Sequence, residues 1–449
     1  MPKILSRLAP VMFGMAACLP ALAQDGPVLG PLHTFVNYEI GQIESGTNNE
    51  NRRMDRELIS HAAVWTLQEA TLSENARVRF GVGGAYFFVL PRNLGNNAYV
   101  HSKRSAFGIT EAHGEFDLLD HNEDEHLLRL KAGVFGYKYN PDAKNLGEYM
   151  FRTWSYPNVI NTGGLEYVNS AAAQLQGFSA STKVGGFNND LILSVESDHV
   201  PIFGLNLTDI VTYDFGGIFQ VGAGFMFNNF YNPDETQVTP KDDLSNAYYT
   251  LADGRELSND RYQYELSNGL NPAAPSDTSY YTFAGQKVMV RGSVSLGKLI
   301  GGPIAPHELK LYGEAIILGL KDYPTYYEKL SDRVVYMGGV NLPAFGLLDM
   351  LSVEVEYAPN PFENSTEGPL IHKSAVPKVG DWGSYKPFKE DNVKWTVIAR
   401  KDVYKGFSIY AQAANDHIRM LDQFSTADFR EFLQEKNDWY WAIKMAYAL

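Results

Sequence analysis

Glu111, His113, Glu115 and Asp117 form a row of titratable side chains at alternate positions. In an extended segment that spacing puts all four on one face, and Glu and His at such positions can converge on a cation. A plainer reading is a solvated wall whose charge is balanced by neighbouring segments, because Arg77 and Arg79 alternate before the row and Arg129 and Lys131 after it. No second histidine cluster at ligand spacing joins it, so no metal and no cofactor is expected. Nucleophilic chemistry would need a serine and a histidine on one face. Ser60 and His61 are adjacent, so a strand would point them apart. Ser197 and His199 would share a face, but no G-x-S-x-G or other supporting motif accompanies them. The chain therefore reads as a protein other than an enzyme.

A third concentration is the stretch 140–161, NPDAKNLGEYMFRTWSYPNVIN, which carries Asp142, Lys144, Glu148 and Arg152 beside Tyr149, Phe151, Trp154 and Tyr156. Charges of both signs with aromatic rings suit a polar eyelet held by packing; a surface loop packed on its neighbours would look the same. The longer stretch 230–283 is rich in Asp, Asn, Ser, Pro and Tyr. It could bind calcium or a carbohydrate, but it lacks the spacing of an EF-hand, and a hydrated loop is the simpler expectation.

The elements that would position these residues alternate strictly. Val78, Phe80 and Val82 oppose Arg77, Arg79 and Gly81; Leu128, Leu130 and Ala132 oppose Arg129, Lys131 and Gly133; Leu351, Val353 and Val355 oppose Ser352, Glu354 and Glu356. Segments of about ten alternating residues separated by turn chemistry are the signature of a transmembrane barrel, whose side chains face lipid and lumen in turn. Strands are expected near 32–44, 57–69, 76–90, 104–119, 127–139, 167–180, 189–199, 207–214, 217–229, 284–297, 307–320, 330–340, 350–359, 391–402, 406–417 and 438–449. The connections alternate between long and short, which a soluble sandwich has no reason to do. The expected fold is all-β: a transmembrane antiparallel up-and-down β-barrel of about 16 strands with periplasmic termini.

Charge on the lipid face costs a few kcal/mol per residue near the midplane. That assigns Arg77, Arg79, Glu111, His113, Glu115, Arg129, Lys131, Lys287, Arg291, Lys310, Glu314, Glu354, Glu356, Lys394, Arg400 and Lys444 to the pore lining. Trp65, Tyr86, Tyr357, Trp395, Trp439 and Tyr447 are read as aromatic girdles at the two interfaces.

The ends and the composition fit. Lys3 and Arg7, an apolar stretch from Leu8 to Leu19 and the pattern Ala21-Leu22-Ala23 read as a signal peptide over 1–23, leaving 24–449 as a single barrel domain with long extracellular loops. The one cysteine, Cys18, falls within that signal; as a lipoprotein acceptor it is the lesser alternative. The formal net charge of −14 argues against nucleic acid as a partner.

The final segment, Trp439, Trp441, Ile443, Met445, Tyr447 and Leu449, forms an alternating apolar face. With the strand count and loop order it resembles the general porins, whose barrels have sixteen strands, periplasmic termini and a C-terminal strand read by the barrel-assembly machinery. Most such strands end in Phe; this one ends in Leu. The resemblance implies a Gram-negative outer-membrane location and contact with outer-membrane lipid and lipopolysaccharide. It also makes 140–161, as third long loop, the candidate constriction. Many barrels of this size form a homotrimer. The expected function is a diffusion channel for small hydrophilic solutes and ions; the alternatives are a solute-specific uptake or export channel and a nonconducting adhesion or structural barrel.

Overall fold

The computed structural model describes residues 27–47, 55–87, 104–121, 125–153, 159–163, 173–197, 200–241, 243–301, 304–377, 379–419 and 431–449. Sixteen strands close into one antiparallel barrel. They are β1 (Val28–Ser45), β2 (Glu57–Ser73), β3 (Ala76–Phe87), β4 (Arg104–His121), β5 (His126–Tyr137), β6 (Ala173–Val184), β7 (Phe187–Val195), β8 (Leu205–Phe215), β9 (Phe219–Tyr231), β13 (Gly285–Ser295), β14 (Lys310–Ile317), β15 (Val334–Asn341), β16 (Met350–Tyr357), β17 (Val393–Tyr404), β18 (Phe407–Asn415) and β19 (Trp439–Ala448). Each pairs with its neighbour in the chain; β13 follows β9, and β19 pairs with β1 to close the ring. Closure leaves no edge strand with unpaired backbone, the condition for a sheet to span hydrocarbon. No described helix is long and apolar enough to cross a membrane.

The alternation that generates the strands also sorts their faces. Along β19, Trp439, Ile443, Met445 and Tyr447 are exposed on the outside while Tyr440, Ala442 and Lys444 are buried within. Val36, Tyr38 and Ile40 of β1 point outward, and Asn37, Glu39 and Gly41 inward. Trp65 departs from its expected place: it lies on the inner face of β2 and stacks on Phe35 with ring centroids 5.3 Å apart.

Short turns collect at one rim. Residues 185–186 join β6 to β7, 216–218 join β8 to β9, and 405–406 join β17 to β18. Gly185 and Gly216 have φ of 57° and 65°, the left-handed region in which glycine carries no Cβ penalty. The start of β1 and the end of β19 lie at this rim, since Val28 pairs with Thr71 and Tyr447 with Phe407 beside their turns. Two expectations shift. The strand placed near 167–180 continues to Val184, leaving a two-residue turn where eight residues were read, while its expected beginning at 167–172 lies outside the described residues. The stretch 230–283 is folded: β10 (Ala247–Leu251), β11 (Glu256–Ser258) and β12 (Pro275–Tyr280) form a small sheet, accompanied by the helix Asn259–Ser267. Tyr281 and Phe283 then pack with Tyr323, Tyr326, Tyr327 and Phe362 into an aromatic core above the long-loop rim.

Candidate functional site: a strap across the lumen and a charged wall

The segment following β5 enters the barrel and reaches the far wall. β16 is eight strands from β5 in either direction around the ring, yet both oxygens of Glu354 on β16 accept hydrogen bonds from this segment. The backbone N–H of Lys144 donates to Oε1 at 2.6 Å, and those of Asn145 and Leu146 donate to Oε2 at 2.9 Å. Glu314 on β14 forms a second anchor. It accepts from the Tyr139 hydroxyl (2.6 Å), Asn140 Nδ2 (2.9 Å) and the backbone N–H of Glu148 and Tyr149 (3.1 and 3.0 Å). Tyr149 donates its hydroxyl to Glu356 at 2.6 Å, and Lys310 pairs with Asp142 at 2.6 Å. Lys287 Nζ donates to the Thr153 carbonyl at 2.8 Å. Carboxylates filled with several N–H and O–H donors are the strong class of hydrogen bond, so the strap is fixed at several points.

Apolar packing supports it. Tyr139, Ala143, Leu146, Tyr149, Met150 and Ile160 of the strap pack with Ile210, Met226, Met289, Ile316, Val335 and Met337, which project from the inner faces of β8, β9 and β13–β15. These inward apolar side chains have no place in a wall bathed by water. They are the sequence signal for the strap, and it is a signal carried by apolar residues and not by the charged lining positions.

A second segment fills the lumen near β1 and β19. After β18, Ile418, Phe432 and Leu433 pack on Ile43, Ile59, Ala414, Tyr440 and Ala442. An ionic knot sits at its edge. Both nitrogens of His417 donate, Nε2 to Glu356 Oε1 and Nδ1 to Glu431 Oε1, each at 2.7 Å. Arg419 pairs with Glu431 at 2.9 Å, and Lys394 contacts both Asp391 and Glu431. Burial opposes charge on His417, but Glu431 and Glu356 outweigh it and push its pKa up to about 10. Asp391, His417 and Glu431 bring potential ligand atoms within 4.8 Å of one another. With both imidazole nitrogens spent as donors and two cations among the acids, the knot is neutralised from within and offers a metal no imidazole lone pair.

The opposite wall stays open, and the expected charge row lies there. The side chains of Arg77, Glu111 and Lys131 keep 28 %, 26 % and 24 % exposure, against 0–1 % for Lys394 and Glu431 in the knot. β3 and β5 flank β4, so its acids meet cations from both sides: Lys131–Glu115 at 2.9 Å, Arg129–Asp117 at 2.6 Å, and Arg77 to Glu115 and Asp117 at 3.5 and 3.4 Å. His113 lies 3.3 Å from Glu115, and Arg79 turns to Glu69 on β2 at 2.6 Å. Of the residues assigned to the lining, Arg77, Arg79, Glu111, Glu115, Arg129 and Lys131 share this wall. Lys287, Glu314, Glu354, Glu356 and Lys394 point inward but lie beneath the strap or the knot. Arg291 donates to Gln220 at 2.9 Å, Arg400 pairs with Asp402 at 3.3 Å, and Lys444 sits 5.0 Å over the Tyr410 ring.

Within the strap, burial raises the Glu148 carboxyl to about 7 against the opposing pull of Arg152 and Lys138, and burial lowers the Lys144 ammonium. Arg152 donates to the Asn145 carbonyl at 3.2 Å, holding the strap to itself. Trp154, Tyr156 and His199 lie outside the described residues. Ser60 bonds outward to Tyr38 while His61 is buried inside, so that pair is split across the wall.

No protein-family model matches the chain, and no curated protein does. Among solved structures it is similar to a mutant of the Rh. blastica porin, at 7 % identity and a TM-score of 0.43, covering 94 % of this chain and 100 % of that one. It is also similar to OprB of Pseudomonas putida in a high-pH structure, at 10 % identity and a TM-score of 0.45, covering 94 % of each chain. Those values carry no cargo, assembly or residue role across to this chain.

Proposed function

We propose that this chain is an outer-membrane channel through which small hydrophilic solutes and ions diffuse passively, in the crescent between the strap and the wall formed by β3–β5. The observation that carries the reading is the asymmetry of the lumen: one wall is sealed by the strap and the knot, while the other keeps Arg77, Lys131 and Glu111 accessible above the buried carboxylates of Glu115 and Asp117. A barrel of this strand number is too wide to be filled by its own wall side chains. Cations and anions interleaved along the wall hold a local field across the opening that acts on passing charges and dipoles. The same reading places the short-turn rim and both termini in the periplasm after removal of residues 1–23, and puts lipid and lipopolysaccharide around the outer face. It gives assembly to the machinery that reads the last strand. It assigns the charged wall to permeation and none of its residues to catalysis.

Purified barrel in planar bilayers should give stepwise currents. Converting Arg77 and Arg129 to Ala leaves Asp117 without its two cations and should shift the reversal potential in a salt gradient toward cation preference. A folded, heat-modifiable barrel that passes no current would defeat the channel reading and leave adhesion as the function. Currents whose selectivity ignores the double substitution would move the permeation path away from β3–β5.

A further inference from the structure

Asp209 faces outward from β8. The inner face of that strand is formed by Thr208, Ile210 and Thr212, all buried, while Asp209 is exposed beside outward-facing Val211 and Tyr213. It is the fifth residue of the eleven in Leu205–Phe215. A tilted strand of about that length spans the hydrocarbon layer, so the carboxylate sits near mid-depth. Leu191 and Phe225 are its cross-strand neighbours, and Leu207 and Val211 flank it along the strand. Asn189 on β7 donates its Nδ2 to Oδ1 of Asp209 at 2.7 Å, and the same nitrogen lies 3.4 Å from the Ile210 carbonyl. The polarity continues across β6, where Gln174 and Gln176 also face outward and exposed. Gln174 reaches over Gly136 to the carbonyl of Thr110, the residue left unpaired by a bulge in β4.

A carboxylate and three amides on a lipid face leave hydrogen-bonding groups against hydrocarbon, which cannot satisfy them. The same groups facing another protein surface would be satisfied. The patch carries amide N–H donors in Gln174, Gln176 and Asn189 and a carboxylate acceptor in Asp209, so an offset copy of this face presents donors to its acceptor and the reverse. That self-complementarity is what an interface between identical chains requires. We propose that the outer surface of β6–β8, centred on Asp209 and Asn189, packs against a second copy of this chain in the membrane. The inference rests on the barrel spanning a membrane.

The test uses the full chain with Cys18→Ser and a single cysteine introduced at Leu191 on β7, or at Ile409 on β18, eight strands away around the ring. Barrel insertion is read independently, from heat-modifiable mobility and recovery in the outer-membrane fraction, so loss of either signal counts against membrane spanning and not against the interface. With insertion intact, a short bismaleimide should link Leu191→Cys chains into homodimers and leave Ile409→Cys chains unlinked. Asp209→Leu should lower the oligomer recovered in mild detergent about tenfold while keeping the heat-modifiable barrel. The proposal is overturned if neither cysteine cross-links, if both do equally, if Leu191→Cys links only to a different protein, or if Asp209→Leu leaves the oligomer unchanged.

Discussion

Glu354 holds three backbone N–H groups on two oxygens, and nothing in its local sequence distinguishes it from a lining carboxylate. Its inward direction follows from alternation with Leu351, Val353 and Val355. Its partners come from residues more than 200 positions earlier, which no local pattern reports. Replacing it with Ala strands those donors. Each buried, unsatisfied donor costs about 1–3 kcal/mol, so Glu354→Ala should detach the strap tip, seen as larger and noisier single-channel currents. Glu354→Gln keeps one accepting oxygen and should give a milder change. Currents identical to the parent in both variants would mean that the strap is held without this carboxylate.

His417 supplies a pH test at the same scale. Its pKa in the knot is raised to about 10, against about 6.5 when unfolded. The folded knot therefore holds its proton where the unfolded state releases it. The stabilisation is complete below about 6.5 and is lost as pH rises through about 10. Amide exchange around 416–419 and 431–434, corrected for intrinsic base catalysis, should accelerate across that window. His417→Gln should flatten the dependence; a wild-type profile with no excess slope between those limits would refute the imidazolium assignment.

At the level of elements, strands and rims were legible because an apolar outer face and a polar or packed inner face impose a period of two on every strand. The start read at 167 for β6 falls outside the described residues, and its end was read short at 180 because Ser181, Thr182 and Lys183 are all polar. The small sheet β10–β12 was hidden for a similar reason: PSDTSY in β12 is polar and short, and its order comes from the aromatic cluster beneath it. The strap was foreseeable as a loop of unusual composition, but its path was written in Met226, Met289 and Met337, apolar side chains at lumen-facing positions. Removing 144–150 should leave the barrel closed, since no barrel strand is cut, and should raise conductance by about twofold or more by widening the narrowest section. An unchanged conductance would place the narrowest section elsewhere, such as beside the knot.

For the whole molecule, the outer belt is the feature most open to a quantitative check. Val290 is the sixth of the eleven residues in β13 and is 55 % exposed on the outside. Val290→Arg should destabilise the barrel by about 2–4 kcal/mol in reversible unfolding from lipid vesicles, the cost of a cation near the midplane. Lys394→Met is a contrasting case inside the wall, where it breaks the ionic knot and leaves the belt untouched. If Val290→Arg is neutral, β13 does not face lipid at that depth.

The strap fastened from β5 to β16 also has a mechanical meaning. A ring of sixteen strands is stiff along its hydrogen bonds but soft toward flattening, because an oval needs only small changes of angle between neighbours. A member tied across the diameter resists that mode, as a tie rod does in a hoop. The pore of this protein should therefore hold its cross-section when bilayer thickness or lateral tension changes, and cutting the tie at Glu314 and Glu354 together should make its conductance depend on the membrane around it.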